Sequence, residues 1–360
     1  MSPRVRVLIV DDSAQARLTV AAELPREEFD VVGRAEDGDA ALRLVRTLRP
    51  EVLTLDLELP RLDGFSLLRL LMAQRPLPVV VVSGLERSEN ALRALEAGAV
   101  DFVAKPAGSG AAERREFGEA LRRGVRLAGA LQAARLATAF APPPSPPPSH
   151  EIAAPLRRSS DGGAPVLILG ASTGGPAALA RLLPALAADL PTVVTLVVQH
   201  MPAGFVEPFA RRLGRLLGLP AAVAGDRQPL APGTLLVAPG DRHLGLGQTA
   251  GRLVTTLDPP APATYVQSVD HLLLGAAPLL RARLVAAILT GMGDDGARGV
   301  RAVRAHGGQV VIESPETALL PGMPRAALAT GCVDATAELW RLGGALRHAL
   351  RRSLHEGPLA

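Results

Sequence analysis

Residues 166–176 read VLILGASTGGP. An aliphatic run enters a glycine-rich bend, and a proline stands just beyond it. Glycine tolerates the backbone of a sharp turn, and proline suits the first position of a helix, so the stretch predicts strand, tight turn and helix. The same grammar extends outward. Downstream, the apolar runs Val193–Val198, Leu235–Ala238, Leu284–Leu289 and Val310–Ile312 read as buried strands. Pro176–Leu186, Val206–Leu217, Val269–Leu280, Ala297–His306 and Glu338–Arg352 read as helices. Upstream, Val5–Val10, Asp30–Arg34, Val52–Leu55, Pro78–Val82 and Asp101–Val103 alternate with Ala14–Leu24, Gly38–Leu48, Gly64–Gln74, Ser88–Ala97 and Ala112–Arg123. Such alternation predicts parallel sheets covered on both faces. The fold class is α/β: a (βα)5 N-terminal unit and a doubly wound, mostly parallel C-terminal unit. Leu244–Leu246 and Leu253–Leu257 flank Gln248–Thr249 and predict a hairpin.

The chain has 360 residues, which at about 100–200 residues per domain suggests two domains. Ala141–His150 reads APPPSPPPSH, a semi-rigid polyproline spacer. Domains are therefore expected at 1–125 and 161–355, with a helical and Pro-rich linker at 126–160. Hydrophobic residues make up 48% and charged residues 21%, which excludes wholesale disorder. The longest apolar runs fall far short of the ~18 residues a membrane span needs. One cysteine, Cys332, cannot form an internal disulfide, and the N-terminus lacks signal-peptide character; a cytoplasmic protein without membrane insertion is expected. Net charge is +4 and aromatics make up 2%. That is a weak field with few stacking surfaces, so nucleic acid is not an expected partner.

In open α/β sheets, chemistry sits at the carboxyl ends of strands. In the N-terminal half, Asp11, Asp12, Asp56, Ser83 and Lys105 all follow predicted strands. Three carboxylates together call for a hard cation, and Mg²⁺ fits their oxygen donors. A metal, a hydroxyl and an ammonium would stabilise a transferring phosphoryl group. The plainer reading makes the aspartates helix caps, but the matching strand ends argue against it for the whole set. Lys105 is the one lysine among 39 basic residues, as if a compact ammonium were required there.

Val10-Asp11-Asp12-Ser13, Leu55-Asp56-Leu57-Glu58-Leu59-Pro60 with Asp63-Gly64, and Ala104-Lys105-Pro106 resemble the two-component response-regulator receiver domain over about 1–125. The resemblance implies that Asp56 accepts a phosphoryl group from a histidine kinase. It implies Mg²⁺ held by Asp12, Asp56 and the Glu58 carbonyl, with Asp11 assisting. Ser83 and Phe102 would be the switch pair.

In the C-terminal half, the glycine turn has two readings. A phosphate-cradling Walker loop needs a Gly-Lys-Ser/Thr ending, and this half has no lysine. The other reading is a nucleophilic Ser172 exposed on a strand-to-helix turn. A serine needs a base. His150 lies in the spacer, His348 and His355 in the Arg-rich C-terminal region, and His306 at a helix C-terminus. His243 and His271 remain possible, but His200 directly follows a long buried strand. The third member should be a carboxylate at another strand end, where Thr290-Gly291-Met292-Gly293-Asp294-Asp295 follows Leu284–Leu289. One aspartate can orient the imidazole and the other can cap the next helix; spacing does not choose between them.

Gly170–Pro176, Gln199-His200-Met201-Pro202, Ala238–His243 and Gly291–Ala297 resemble the chemotaxis protein-glutamate methylesterase domain over roughly 165–350. This implies the triad Ser172, His200 and Asp295, and an oxyanion site near Met292 with Thr173. Gln267 stands where that family more usually has proline, a departure expected to touch a neighbouring loop rather than the triad. Together the resemblances imply hydrolysis of γ-methyl glutamyl esters on chemoreceptors, releasing methanol, and deamidation of receptor glutamine, with no cofactor for hydrolysis. They also imply an unphosphorylated receiver that covers the cleft until Asp56 is phosphorylated. An esterase of this family in a non-motility pathway is an alternative. A DNA-binding response regulator is another, disfavoured because the output half lacks a compact helix-turn-helix pattern.

Overall fold

The computed structural model describes residues 4–84, 88–106, 108, 110–131, 133–140, 163–260 and 266–355. The chain divides into two compact units, Met1–Ala141 and Pro142–Ala360. The expected Pro-rich spacer Ala141–His150, with His150, lies outside the described residues.

The first unit runs β1 (Val5–Val10), α1 (Ala14–Ala22), β2 (Phe29–Ala35), α2 (Gly38–Leu48), β3 (Val52–Leu55), α3 (Gly64–Gln74), β4 (Val79–Ser83), α4 (Ser88–Glu96), β5 (Asp101–Ala104), α5 (Ala111–Gly129) and α6 (Ala133–Phe140). Its five strands pair in parallel in the order β2-β1-β3-β4-β5. Every residue of β3 and β4 is buried, as central strands covered on both faces require. Helix starts are fixed by side chains: Ser13, Asp37 and Asp63 accept backbone N–H groups of α1, α2 and α3, satisfying donors the helices cannot.

The second unit continues with β6 (Val166–Ala171), α7 (Gly175–Leu182), β7 (Val194–Gln199), α8 (Ala203–Leu217), β8 (Ala221–Val223), β9 (Leu235–Val237), β10 (His243–Thr249), β11 (Arg252–Asp258), α9 (Val269–Leu280), β12 (Leu284–Ile288), α10 (Ala297–Ala305), β13 (Gln309–Glu313), α11 (Gly322–Leu328), β14 (Ala335–Ala337) and α12 (Leu339–His355). Seven strands pair in parallel as β14-β13-β12-β6-β7-β9-β8. Strands β10 and β11 pair antiparallel as a separate hairpin. Leu272, Leu273, Ala276 and Leu280 of α9 pack with Ile168, Leu196 and Ile288 in one buried cluster. The chain leaves β6 towards β7 and returns on the other side at β12, so β6 marks the reversal of winding where such sheets bind ligands.

Two local expectations change. The hairpin turn is at Ala250–Gly251, not Gln248–Thr249, which pair with Leu253 and Arg252. Ala250 and Gly251 have φ of 49° and 74°, the left-handed pair that a two-residue hairpin turn demands. Strands β8 and β14 escape the apolar-run reading because each is three residues long and, as an edge strand, only partly buried. Among the described residues no helix is long and apolar enough to cross a membrane.

Candidate active site

The neighbouring strands β12, β6 and β7 deliver three loops to one rim of the second unit. The β6–β7 ladder closes with Ala171 opposite Gln199, so Ser172 and His200 are the next residue on each strand. The His200 N–H donates to the Ala171 carbonyl at 3.1 Å. Gln199 Nε2 then donates to the carbonyls of Ser172 (2.8 Å) and His200 (2.9 Å), tying the two strand ends together. Gly174 takes φ 80° behind the serine, which turns the chain into α7, whose first turn contains Pro176.

Asp295 supplies the carboxylate. Its Oδ2 lies 2.8 Å from His200 Nε2. A carboxylate accepts only, so Nε2 carries the proton and the basic lone pair of the neutral ring falls on Nδ1. Asp295 is 4% exposed. It also accepts from the Ser268 hydroxyl (2.9 Å), the Val269 N–H (2.7 Å) and the Asp270 N–H (2.9 Å). Burial pushes its pKa up, but the hydrogen bonds from His200 and the two N–H groups outweigh it and hold the carboxyl below its ordinary value. Asp295 therefore stays ionised and acceptor-only. Asp294 is exposed. Contrary to the capping expectation, α10 has Gly296 at its N-cap and no side-chain cap. His243, at the start of β10, serves the site differently from a base: its Nδ1 accepts the Ser268 N–H at 3.2 Å. Burial, then the stacked His271 with ring centroids 4.8 Å away, pushes the His243 pKa down, which favours that accepting state.

The loop after β12 closes over the serine. The Ser172 N–H donates to the Thr290 carbonyl at 3.0 Å, and Gly291 bonds both ways with the 320–323 segment. A Cβ on Gly291 would lie 2.8 Å from Ser172 Cβ, so only glycine permits this approach. Segments 172–173 and 290–292 are thus brought together, and Met292 is 59% exposed beside them. Gln267 reaches further than expected. Its Oε1 accepts the N–H of Met201, the residue after His200, at 2.9 Å. Its φ of 69° is one that proline's ring forbids.

Glu313 ends β13 and is 1% exposed, with Oε2 accepting the Thr290 N–H at 2.8 Å. Burial is the largest influence on its carboxyl and pushes the pKa from 4.5 to about 7. The folded protein therefore holds a proton that the unfolded chain has lost between pH 4.5 and 7. Stability falls as pH rises through that window and levels off above it, a loss of about 3 kcal/mol at ~1.36 kcal/mol per unit. Glu313→Gln cannot titrate, so its advantage in denaturant midpoint over wild type is expected to grow from pH 4.5 to 7. A constant difference across that range contradicts this.

In the first unit, Asp11 and Asp56 are buried and Asp12 is exposed. One carboxylate oxygen from each lies within 4.8 Å of the others. Lys105 Nζ sits 2.7 Å from Asp11 Oδ2 and 2.5 Å from Asp56 Oδ2. Burial raises the Asp11 pKa more than Lys105 lowers it. Burial works against the Lys105 ammonium, but bonds to Asp11 and Asp56 more than restore it and raise its pKa. Three clustered carboxylates with one adjoining cation leave surplus negative charge, and their hard oxygens suit Mg²⁺. Glu58 is exposed, and its N–H donates to Asp56 Oδ1 at 3.3 Å. Ser83 ends β4 beside β3; its hydroxyl is fully buried and has no hydrogen-bond partner among the described residues. Phe102 is packed inside at 9% exposure.

Gln199, Ser268, His243, Thr290 and Glu313 support the site; Gln199 and His243 fall within the stretches that carry the resemblance, but the sequence alone assigns none of the five its supporting role. Glu313 carries a usable signal, a carboxylate ending a buried apolar run.

Comparison with known proteins agrees with this layout. The family model described as CheB methylesterase matches residues 167–346, and that of the response regulator receiver domain matches 7–113. A protein-glutamate methylesterase/protein-glutamine glutaminase of Geobacter sulfurreducens is 40% identical, over 94% of this chain and 95% of its own. One of Anaeromyxobacter dehalogenans is 44% identical, over 92% and 91%. The crystal structure of the Thermotoga maritima CheB methylesterase catalytic domain is 35% identical with a TM-score of 0.50, covering 52% of this chain and 99% of that domain.

Proposed function

The chain belongs to the CheB methylesterase family, with a receiver domain ahead of the hydrolase, and on that premise we propose that it is a phosphorylation-activated hydrolase of γ-methyl glutamyl esters on chemoreceptors. Ser172 Oγ attacks the ester carbonyl carbon and gives its proton to His200. That proton leaves with methoxide as methanol. His200 then takes a proton from water, whose oxygen attacks the acyl-serine, and free glutamate and Ser172 are regenerated. Asp295 holds the imidazole and stabilises its charged form. Backbone amides near Met292 and Thr173 face the oxyanion. Receptor glutamine passes through the same steps with ammonia leaving.

The observation that carries this reading is the convergence of three strand-end loops, with Asp295 on His200 Nε2 at 2.8 Å and His200 beside the Ser172 turn. In the receiver, Asp56 is the phosphoryl acceptor from a histidine kinase. Asp11, Asp12, Asp56 and the Glu58 carbonyl would hold Mg²⁺, which supplies charge neutralisation for phosphoryl transfer. Lys105 steadies the Asp56 carboxylate, and the buried Ser83 hydroxyl offers a hydrogen bond to the phosphoryl group. Ser83 and Phe102 form the switch.

The test is methanol release from methylated receptor by the full chain, with and without a small phosphodonor and Mg²⁺. Methanol is expected in both cases and faster with phosphodonor. No release from a folded chain sinks the reading. Asp56→Asn is expected to abolish phosphoryl incorporation and the stimulation together. Stimulation surviving in that variant would remove Asp56 from its role.

A further inference from the structure

A fourth strand end reaches the site from behind. The β12–β13 ladder closes at Ile288 opposite Ile312, and two residues later the Thr290 N–H needs a partner in the protein interior. It finds the Glu313 carboxyl at 2.8 Å. Thr290 is itself a junction. Its carbonyl accepts the Ser172 N–H at 3.0 Å. Its hydroxyl donates to the Thr173 carbonyl at 3.0 Å and accepts the Leu320 N–H at 3.0 Å. The next residue is Gly291, which packs on Ser172 Cβ.

We propose that Glu313 is a positioning residue for hydrolysis: its carboxyl fixes Thr290, and Thr290 fixes both the Ser172 turn and the Gly291–Met292 segment. The inference rests on Ser172 being the nucleophile. A carboxyl is a costly group to bury, and an aliphatic side chain would fill the space without that cost. What an aliphatic cannot do is accept the Thr290 N–H. Because a side chain takes this bond, the chain after β12 can leave its neighbouring strand and turn towards the serine. A displacement of about 1 Å at a nucleophile can cost about 100-fold in rate. Among the described residues, the charged group acting on Glu313 is Arg181 of α7, which pulls its pKa down less than burial raises it. The neighbouring β12, β14, α10, α11 and α12 bring no charged group that acts on it.

Full-length Glu313→Gln keeps an acceptor oxygen; Glu313→Met keeps the volume and loses it. Hydrogen exchange of segments 170–175 and 288–293, and kcat and KM for methyl-ester hydrolysis, separate the roles. Glu313→Met is expected to exchange about 10-fold faster in both segments. Its kcat should fall about 10- to 100-fold with KM changed less than about twofold. Glu313→Gln should stay within about threefold of wild type in both. Wild-type exchange in folded Glu313→Met, or equal loss of kcat in the two variants, overturns the proposal. Should Glu313→Met not fold, exchange of the Thr290 amide in wild type is read instead: it is expected to be at least about 100-fold slower than a free amide, and exchange at the free-amide rate overturns the proposal. A wild type that releases no methanol defeats the hydrolase reading and leaves the exchange measurement decisive here.

Discussion

Ser172→Ala is expected to lower methyl-ester hydrolysis by about 10,000-fold or more, because removal of a nucleophile leaves only binding and oxyanion stabilisation. The substitution is well suited to the position. The bonds that hold residue 172 run through its backbone: the N–H to Thr290, and the carbonyl to Gly175 and Gln199. Alanine keeps all three, and it keeps the Cβ that Gly291 packs against. Loss of activity would therefore not reflect a collapsed turn. Phosphoryl incorporation at Asp56 should be retained, and an unchanged urea-unfolding midpoint serves as the check on folding of the second unit. Methanol release by Ser172→Ala near the wild-type rate would remove the serine from the mechanism.

Asp295→Asn should cost about 1,000-fold in kcat and about 2–4 kcal/mol in stability. Every partner of Asp295 is a donor: the Ser268 hydroxyl, two backbone N–H groups and His200 Nε2. An asparagine must turn its NH₂ towards one oxygen's share of these donors. Turned to the Oδ2 side, it faces Val269 N–H and favours the imidazole tautomer with its proton on the wrong nitrogen. Turned to the Oδ1 side, it faces Ser268 and Asp270 instead. The adjacent Asp294→Asn is the comparison, since that side chain is exposed and its loss should change kcat by less than about twofold. Equal effects at the two positions, measured by turnover and urea unfolding, would place the orienting carboxylate elsewhere.

The architecture and the candidate reacting groups are legible in the sequence because both depend on patterns one strand long. Apolar runs such as VLILGA and VTLVVQ mark central parallel strands, and the polar residues just beyond them mark the rim. The supporting shell obeys a different logic. Gln199 and Thr290 act on backbone groups that lose their ladder partners where strands end, and Ser268 acts on the Asp295 carboxylate. Which N–H or carbonyl is orphaned depends on the register of a neighbour far away in sequence. Spacing leaves Asp294 and Asp295 equivalent for the same reason: their difference lies in Val269 and Asp270, contributed by the start of α9. Gln267 stands out as a departure, but its reach to Met201 requires its left-handed backbone, which sequence does not display for a non-glycine residue. Glu313 belongs to the readable class, since a carboxylate closing an apolar strand is unusual enough to mark a site.

The scarcity of lysine has a practical corollary. An amine-directed dye meets one side-chain amine on this chain, and that amine bridges Asp11 and Asp56. Acylation needs the free amine, which the bonds to Asp11 and Asp56 disfavour, so on this arginine-rich chain the extent of side-chain labelling would report how firmly the receiver's acidic pocket grips Lys105.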